Sequence, residues 1–238
     1  MRVESQPAYI LHARAWRETS LLLEAFTRDY GRVGLVARGV RSARARLPRS
    51  ALEPLQALQL GWSGRGELQT LTTAEPVRNP PALRGDTLMS AMYVNELMVR
   101  LTVRDDPHPA LFERYAALLD ELAATPSLAW SLRRFERDLL AAAGYALQLE
   151  TEAESGAPVG PAQVYDYVPE LGPVVAVGSA GRGARVRGSA LLALAADAMP
   201  RDAEDLAALR RLMRILIGAQ VGERGLQSWR VLAQPLRS

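Results

Sequence analysis

The hydrophobic period of this chain changes at Arg78-Asn79-Pro80-Pro81. Before that point apolar residues come in short runs suited to strands. After it they recur every three or four residues, the spacing of a helix face. Two consecutive prolines end regular structure, so the break predicts a β unit over residues 1–79 and a mainly helical unit over residues 80–238. In the first, five segments read as strands: 9–14, 21–27, 32–40, 55–60 and 68–73. Arg28-Asp29-Tyr30-Gly31 and Gly61-Trp62-Ser63-Gly64-Arg65-Gly66 supply turns between them. Five short strands fit a small closed barrel, because closure removes exposed edges. The OB-fold is the five-stranded barrel of that kind.

The second unit reads as helices over 86–101, 109–122 and 127–144, then an irregular Gly- and Pro-rich insert at about 150–188. Inside the insert, Val164–Tyr167 and Val174–Val177 suggest a small hairpin. A short helix over 189–198 and a longer one through Leu206, Leu209, Met213, Leu216 and Gln220 follow. The predicted class is α+β: a five-stranded OB-fold barrel, then a mainly helical domain with a β-hairpin excursion.

Composition narrows the chemistry. The 238 residues include no cysteine and two histidines, His12 and His108. Disulfides, thiolate catalysis and cysteine-based zinc sites are excluded. The N-terminus lacks the apolar run of a signal peptide. No window of eighteen apolar residues occurs, so a soluble cytoplasmic protein without membrane spans is expected. All 29 basic residues are arginine. Together with abundant Ala, Leu and Gly this reflects GC-rich codon use, so only the placement of charge is informative. Residues 1–80 hold twelve Arg against seven acids, and residues 81–238 hold seventeen against nineteen. The first unit is basic and the second mildly acidic.

The charge is densest in Arg38-Gly-Val-Arg-Ser-Ala-Arg-Ala-Arg-Leu-Pro-Arg49, with five arginines and no acid. It falls between the third and fourth predicted strands, so it is a loop. Arg41, Arg44, Arg46 and Arg49 cannot all be buried. One reading is a solvated charge run. The other is a loop that tracks a polyanion, since a small barrel with cationic loops and surface aromatics binds single strands. Trp16, Phe26, Tyr30 and Trp62 are the stacking candidates. Trp16 and Trp62, in turns, are expected to be exposed, and Phe26 to be core.

Catalytic features are sparse. Asp105-Asp106-Pro107-His108 is the one acid–His cluster, in a helix–helix connection, and reads as a solvated loop. Glu150, Glu152 and Glu154 read as a solvated edge. Gly178-Ser-Ala-Gly-Arg-Gly183 lacks the lysine of a phosphate loop. With no triad, metal set or cofactor motif, the expectation is a protein that is not an enzyme and takes no cofactor or metal.

Several segments together resemble the bacterial RecO family of DNA repair proteins. They are Leu11-His12-Ala13-Arg14-Ala15-Trp16-Arg17-Glu18-Thr19-Ser20, Leu22–Thr27, Gly31-Arg32-Val33, Val36–Arg41 and Gly64-Arg65-Gly66-Glu67-Leu68. Tyr93-Val94-Asn95-Glu96-Leu97, Leu132-Arg133-Arg134-Phe135-Glu136 and Gly144-Tyr145 extend the likeness into the second unit. No single motif is specific, but their order and spacing run nearly the full length.

The resemblance implies a recombination mediator. Such proteins bind single- and double-stranded DNA and anneal complementary strands. They engage the acidic tail of the single-stranded DNA-binding protein SSB, and with RecR and sometimes RecF help load RecA onto SSB-coated strands. Arg14, Trp16, Arg17, Arg38, Arg41, Arg44, Arg46, Arg49 and Arg65 are the candidate DNA-binding set. An acidic tail with an apolar tip needs an apolar notch beside a cation. Arg133, Arg134, Phe135 and Leu139 are the candidate SSB-tail set, with Arg133 on the terminal carboxylate. The competing reading makes Phe135 and Leu139 core and both arginines surface charge.

Two departures stand out. Some relatives carry a four-cysteine zinc site where this chain has none, so a hairpin held by ordinary packing is expected. Leu226-Gln227-Ser228-Trp229-Arg230 replaces a Leu-Lys-Ser-Arg-like ending, with Arg224 and Arg230 near enough to substitute. The alternative function on the same residues is an OB-fold RNA-binding protein in ribosome assembly or translation.

Overall fold

Strand β1, Arg2–Trp16, is long enough to serve two neighbours. Its first half pairs with β4 (Ala57–Ser63) and its second with β2 (Ser20–Thr27). The computed structural model describes residues 1–42, 47, 49–124, 127–178, 183–222 and 225–229. Strand β2 runs antiparallel to β3 (Gly31–Ala37), which pairs in parallel with β5 (Leu68–Pro76), and β5 returns to β4. The order β1-β2-β3-β5-β4 therefore closes on β1, as an OB-like barrel.

Inside sit Ile10, Leu23, Ala25, Val33, Leu35, Leu58, Leu60 and Trp62. Val40 and Leu52, from the long β3–β4 connection, belong to the same core, and Leu47 packs against it. The described ends of this connection are thus fastened to the barrel by their apolar residues.

The chain packs as two compact units. One comprises Met1–Ala124 with the chain from Leu226 on, and the other Thr125–Gly225. In the first, helices α1 (Gly85–Leu101) and α2 (Pro109–Ala124) cover the outside of the barrel. This explains why β1 and β2 read as unbroken apolar runs rather than alternating ones. Tyr9 and Phe26 turn outward and stack with Phe112 and Tyr115 of α2 at centroid distances of 5.0–6.3 Å.

Pairing shifts register between Ile10 and His12, so Leu11 drops out of the β1–β2 ladder. Asn95 answers for it: its Nδ2 donates to the Leu11 carbonyl at 3.0 Å, and its Oδ1 accepts from the Tyr115 hydroxyl at 2.6 Å. A buried carbonyl freed by a bulge needs such a partner.

Between α1 and α2 the chain is tied to β3. Glu24 accepts from Arg32 at 2.6 Å and also from Arg104, and Arg32 donates to the Thr102 carbonyl at 2.9 Å. Gly31, at φ +65°, lies so close to the Asp106 backbone that a Cβ there would overlap it.

The second unit holds α3 (Leu128–Ala142), a sheet of order β7-β6-β8, α4 (Gly188–Ala195) and α5 (Ala203–Val221). Strand β6 is Val164–Val168, β7 is Gly172–Val175 and β8 is Ala184–Arg187. The expected hairpin is therefore two strands of a three-stranded sheet. Its third strand, Ala-Arg-Val-Arg, is too short to stand out by alternation. Likewise β1 begins at Arg2, not Tyr9: Glu4, Ser5 and Gln6 carry no apolar run, and pairing with β4 supplies the missing signal.

Candidate nucleic-acid interface

One end of the barrel collects much of the predicted DNA-binding set. Trp16 pairs with Ser20 across the β1–β2 turn, and Leu21 pairs with Ala37, the last residue of β3. Arg17 in that turn and Arg38 leaving β3 therefore emerge side by side. The backbone N–H of Arg41 donates to the Thr19 carbonyl at 2.9 Å, and its guanidinium reaches the Arg17 carbonyl at 3.4 Å. Gly39, at φ +69°, provides the turn that brings Arg41 back.

Arg14, Arg17, Arg38 and Arg41 are all exposed, and Trp16 is half-buried with the Arg14 guanidinium 5.8 Å from its ring. That distance is within cation–π range. Among the described residues, none of these four arginines takes part in an ion pair. Other arginines of the same unit do: Arg28 with Asp29, Arg32 and Arg104 with Glu24, Arg78 with Asp120, and Arg114 with Glu121. The split separates guanidiniums engaged by the fold from guanidiniums left to solvent, where they can meet phosphates.

The remaining candidates are placed differently. Arg49 is exposed at the start of a short 3-10 turn, Arg49–Leu52, whose Leu52 is buried. Arg65 is exposed at the β4–β5 turn, beside the chain terminus, where the Met1 ammonium donates to the Gly64 carbonyl at 3.1 Å. Strand β5 runs parallel to β3 and joins it with Leu68 beside Gly34, so Arg65, three residues earlier, lies toward the Gly31 end of β3 and away from the Trp16 end. Arg44 and Arg46 lie outside the described residues.

The aromatic candidates divide. Phe26 is core, as expected. Trp62 is not an exposed stacking residue: it is fully buried, inside the barrel, with Tyr30 edge-on at 5.4 Å. A turn-like sequence misplaced it, because Gly61-Trp62-Ser63 continues β4. Tyr30 is likewise half-buried against this core. Trp16 alone of the four lies with the exposed arginines.

In the second unit the SSB-tail set does not form a surface notch. Arg133 is 5% exposed and holds the buried Glu136 through two bonds of 2.7 and 2.5 Å. Phe135 and Leu139 are fully buried. Arg134 is partly exposed and donates twice to Asp197, at 2.8 and 2.6 Å. Asp197 is held below the usual carboxylate range by the Arg134 hydrogen bonds, against the opposing effect of burial. Arg133, Phe135 and Leu139 are therefore buried in the fold rather than set on an exposed notch. The helix buries an i,i+3 ion pair that the sequence presents as surface charge.

Other candidates resolve into local structure. His108 contacts Asp106 at 3.0 Å, and no third acid or histidine joins them among the described residues. Glu152 accepts from Ser155 at 2.6 Å and Tyr165 at 3.1 Å. No helix among the described residues is long and apolar enough to cross a membrane.

Two motifs noted for resemblance meet in the fold. Glu96 accepts the backbone N–H groups of Gln227 and Ser228 at 2.6 and 2.8 Å, while Leu226 is buried. Burial pushes the Glu96 carboxyl up, but these two donors, with the Ser228 side chain and the Arg100 charge, together leave it below its ordinary value.

Comparison with known proteins now decides the family. Residues 1–80 match the model for the recombination protein O N terminal, and residues 83–230 the model for the recombination protein O C terminal. The chain belongs to the RecO family. The "DNA repair protein RecO" of Xanthomonas oryzae pv. oryzae (strain PXO99A) is 45% identical over 235 residues, covering 98% of this chain and 97% of that one. Those of Stenotrophomonas maltophilia (strain K279a), 44% over 236 residues, and Aromatoleum aromaticum, 46% over 233, cover 98% of this chain and 98% and 96% of theirs. RecO membership makes this a DNA repair protein.

Proposed function

We propose that the chain is a recombination mediator. It binds single- and double-stranded DNA through the Trp16 end of its barrel and anneals complementary strands. With RecR and sometimes RecF it helps load RecA onto strands coated with SSB. The observation that carries the reading is the group of exposed arginines, Arg14, Arg17, Arg38 and Arg41, that no acid engages beside Trp16. Family membership supplies the repair context.

Two strands repel as polyanions, and guanidiniums on their phosphates lower that repulsion while the bases remain available. Phosphate contacts carry no sequence code, which suits a factor that must act on any sequence. Trp16 gives one base a face to stack on. Arg49, also exposed, adds a further guanidinium from the β3–β4 connection, and the chain does this without cofactor or bond cleavage.

The test is annealing of two SSB-coated complementary oligonucleotides by the wild type and by a variant with Arg14, Arg17, Arg38 and Arg41 all changed to Ala. Annealing that collapses in the variant is the expected result. Equal annealing by both moves the DNA site elsewhere, and none by either removes the proposed activity.

A further inference from the structure

Between Arg137 and Arg182 the chain has no basic residue and six acids, although about one residue in eight overall is arginine. This stretch builds most of a cleft of about 260 Å³ in the second unit. Its floor is Leu140, Leu216 and Tyr167, all buried. Its rim carries Tyr145, 46% exposed, and Leu171, 49% exposed. Two large apolar side chains half in water beside an apolar floor form a surface that gains by being covered.

The polar groups of the cleft are neutral except Glu170, which stands at the β6–β7 turn with φ +66°. Tyr167 accepts the Gln148 backbone N–H at 3.1 Å, and burial pushes its phenol up to about 12, so the floor carries no charge. The surroundings are acidic. The Ala153 N–H donates to the Pro173 carbonyl at 2.9 Å, which lays the segment bearing Glu150 and Glu154 along β7, next to the cleft. Among the described residues Glu150, Glu154 and Glu170 are exposed and outside any ion pair, whereas Asp166 is paired with Arg185. The arginines of β8 lie beyond β6, at the opposite edge of the sheet.

This charge pattern selects the occupant. A phosphate backbone or an acidic tail would be repelled here. The volume is below the roughly 300–1,000 Å³ of small-molecule sites, which suits one anchoring side chain of a protein. We infer that the Tyr145–Leu171 cleft is a docking site for a basic protein segment, in which an aromatic or leucine side chain fills the cleft and flanking Arg or Lys face Glu170, Glu150 and Glu154. The anchor supplies most of the affinity, and the acids supply approach rate and discrimination. The surface is chemically opposite to the arginine-rich barrel end, so one chain offers separate faces to nucleic acid and to a basic protein.

A randomised peptide-display library panned on the full-length protein tests this, with Leu171→Asp and Glu170→Lys proteins as counter-selections. Selected peptides should carry one aromatic or leucine flanked by Arg or Lys, and Leu171→Asp should weaken them on the order of tenfold or more. Glu170→Lys should weaken them less and remove much of their salt dependence. Tyr145→Ala is the second variant should Leu171→Asp fold poorly. DNA affinity should be unchanged in all three. Peptides with acidic or uncharged flanks, peptides that bind the cleft variants as tightly as wild type, or no selectable peptide each overturn the proposal.

Discussion

Trp16 and Trp62 show how similar residues in similar sequence settings take opposite jobs. Both follow a small residue, Ala15 or Gly61, and precede a turn-like stretch of sequence, yet Trp62 lies in the core and Trp16 beside exposed arginines. Trp62→Ala should cost about 3–5 kcal/mol of stability, as large-to-small core changes do. Trp16→Ala should leave the urea midpoint nearly unchanged and weaken single-strand binding by about 1–3 kcal/mol. Parallel denaturation and binding titrations check the pair, and a stable Trp62→Ala protein would contradict the buried placement. Asn95 is the other telling residue. Asn95→Ala removes the donor to the Leu11 carbonyl and the acceptor of the Tyr115 hydroxyl bond together, for a loss of about 2–4 kcal/mol. Tyr115→Phe leaves only one acceptor unmatched and should cost less. The sequence displayed Asn95 within Tyr-Val-Asn-Glu-Leu but not its task, because the bulge it repairs is eighty-four positions away.

Elements with strong periodicity were legible, and elements defined by their neighbours were not. Helices α1, α2 and α3 followed from apolar spacing, and β2 and β3 from their apolar runs. Strand β8 and the first half of β1 needed a partner strand to be recognised. Residues 226–229 form another such element, since their docking depends on Glu96. The folded Glu96 carboxyl lies below its ordinary value of 4.5. A depressed carboxylate contributes stability that is present above the unfolded value and lost as pH falls through the folded one. Glu96→Gln should therefore lower stability at pH 7 by about 1 kcal/mol, in the range of lost helix caps. The difference from wild type should vanish below the folded value. Melting both proteins from pH 7 down to pH 3 checks this, and a gap that persists in acid would show that the carboxylate charge is not what holds the segment.

At the scale of the molecule, the sign of the charge and its split between the two parts of the chain were legible in the sequence, but not which arginines stand together. A net charge of +3 is too small to explain a polyanion track by itself. Placement does the work, because phosphate contacts count only where guanidiniums stand together without competing acids. Of the loop arginines read from the sequence, the described structure joins Arg38 and Arg41 to Arg14 and Arg17 through the β1–β2 turn, a union that only the strand register reveals. Two variants with equal loss of charge separate placement from total. One changes Arg14, Arg17 and Arg41 to Ala; the other changes the exposed Arg201, Arg210 and Arg211 of the helical unit. For single-strand binding, each lost phosphate contact reduces the log–log salt slope by about 0.7. The first variant should flatten it by about 2 and the second should leave it unchanged. Equal flattening by both would mean that α5 and the turn before it share the DNA contact with the barrel. Because both variants have the same net charge, no difference between them can come from long-range attraction alone.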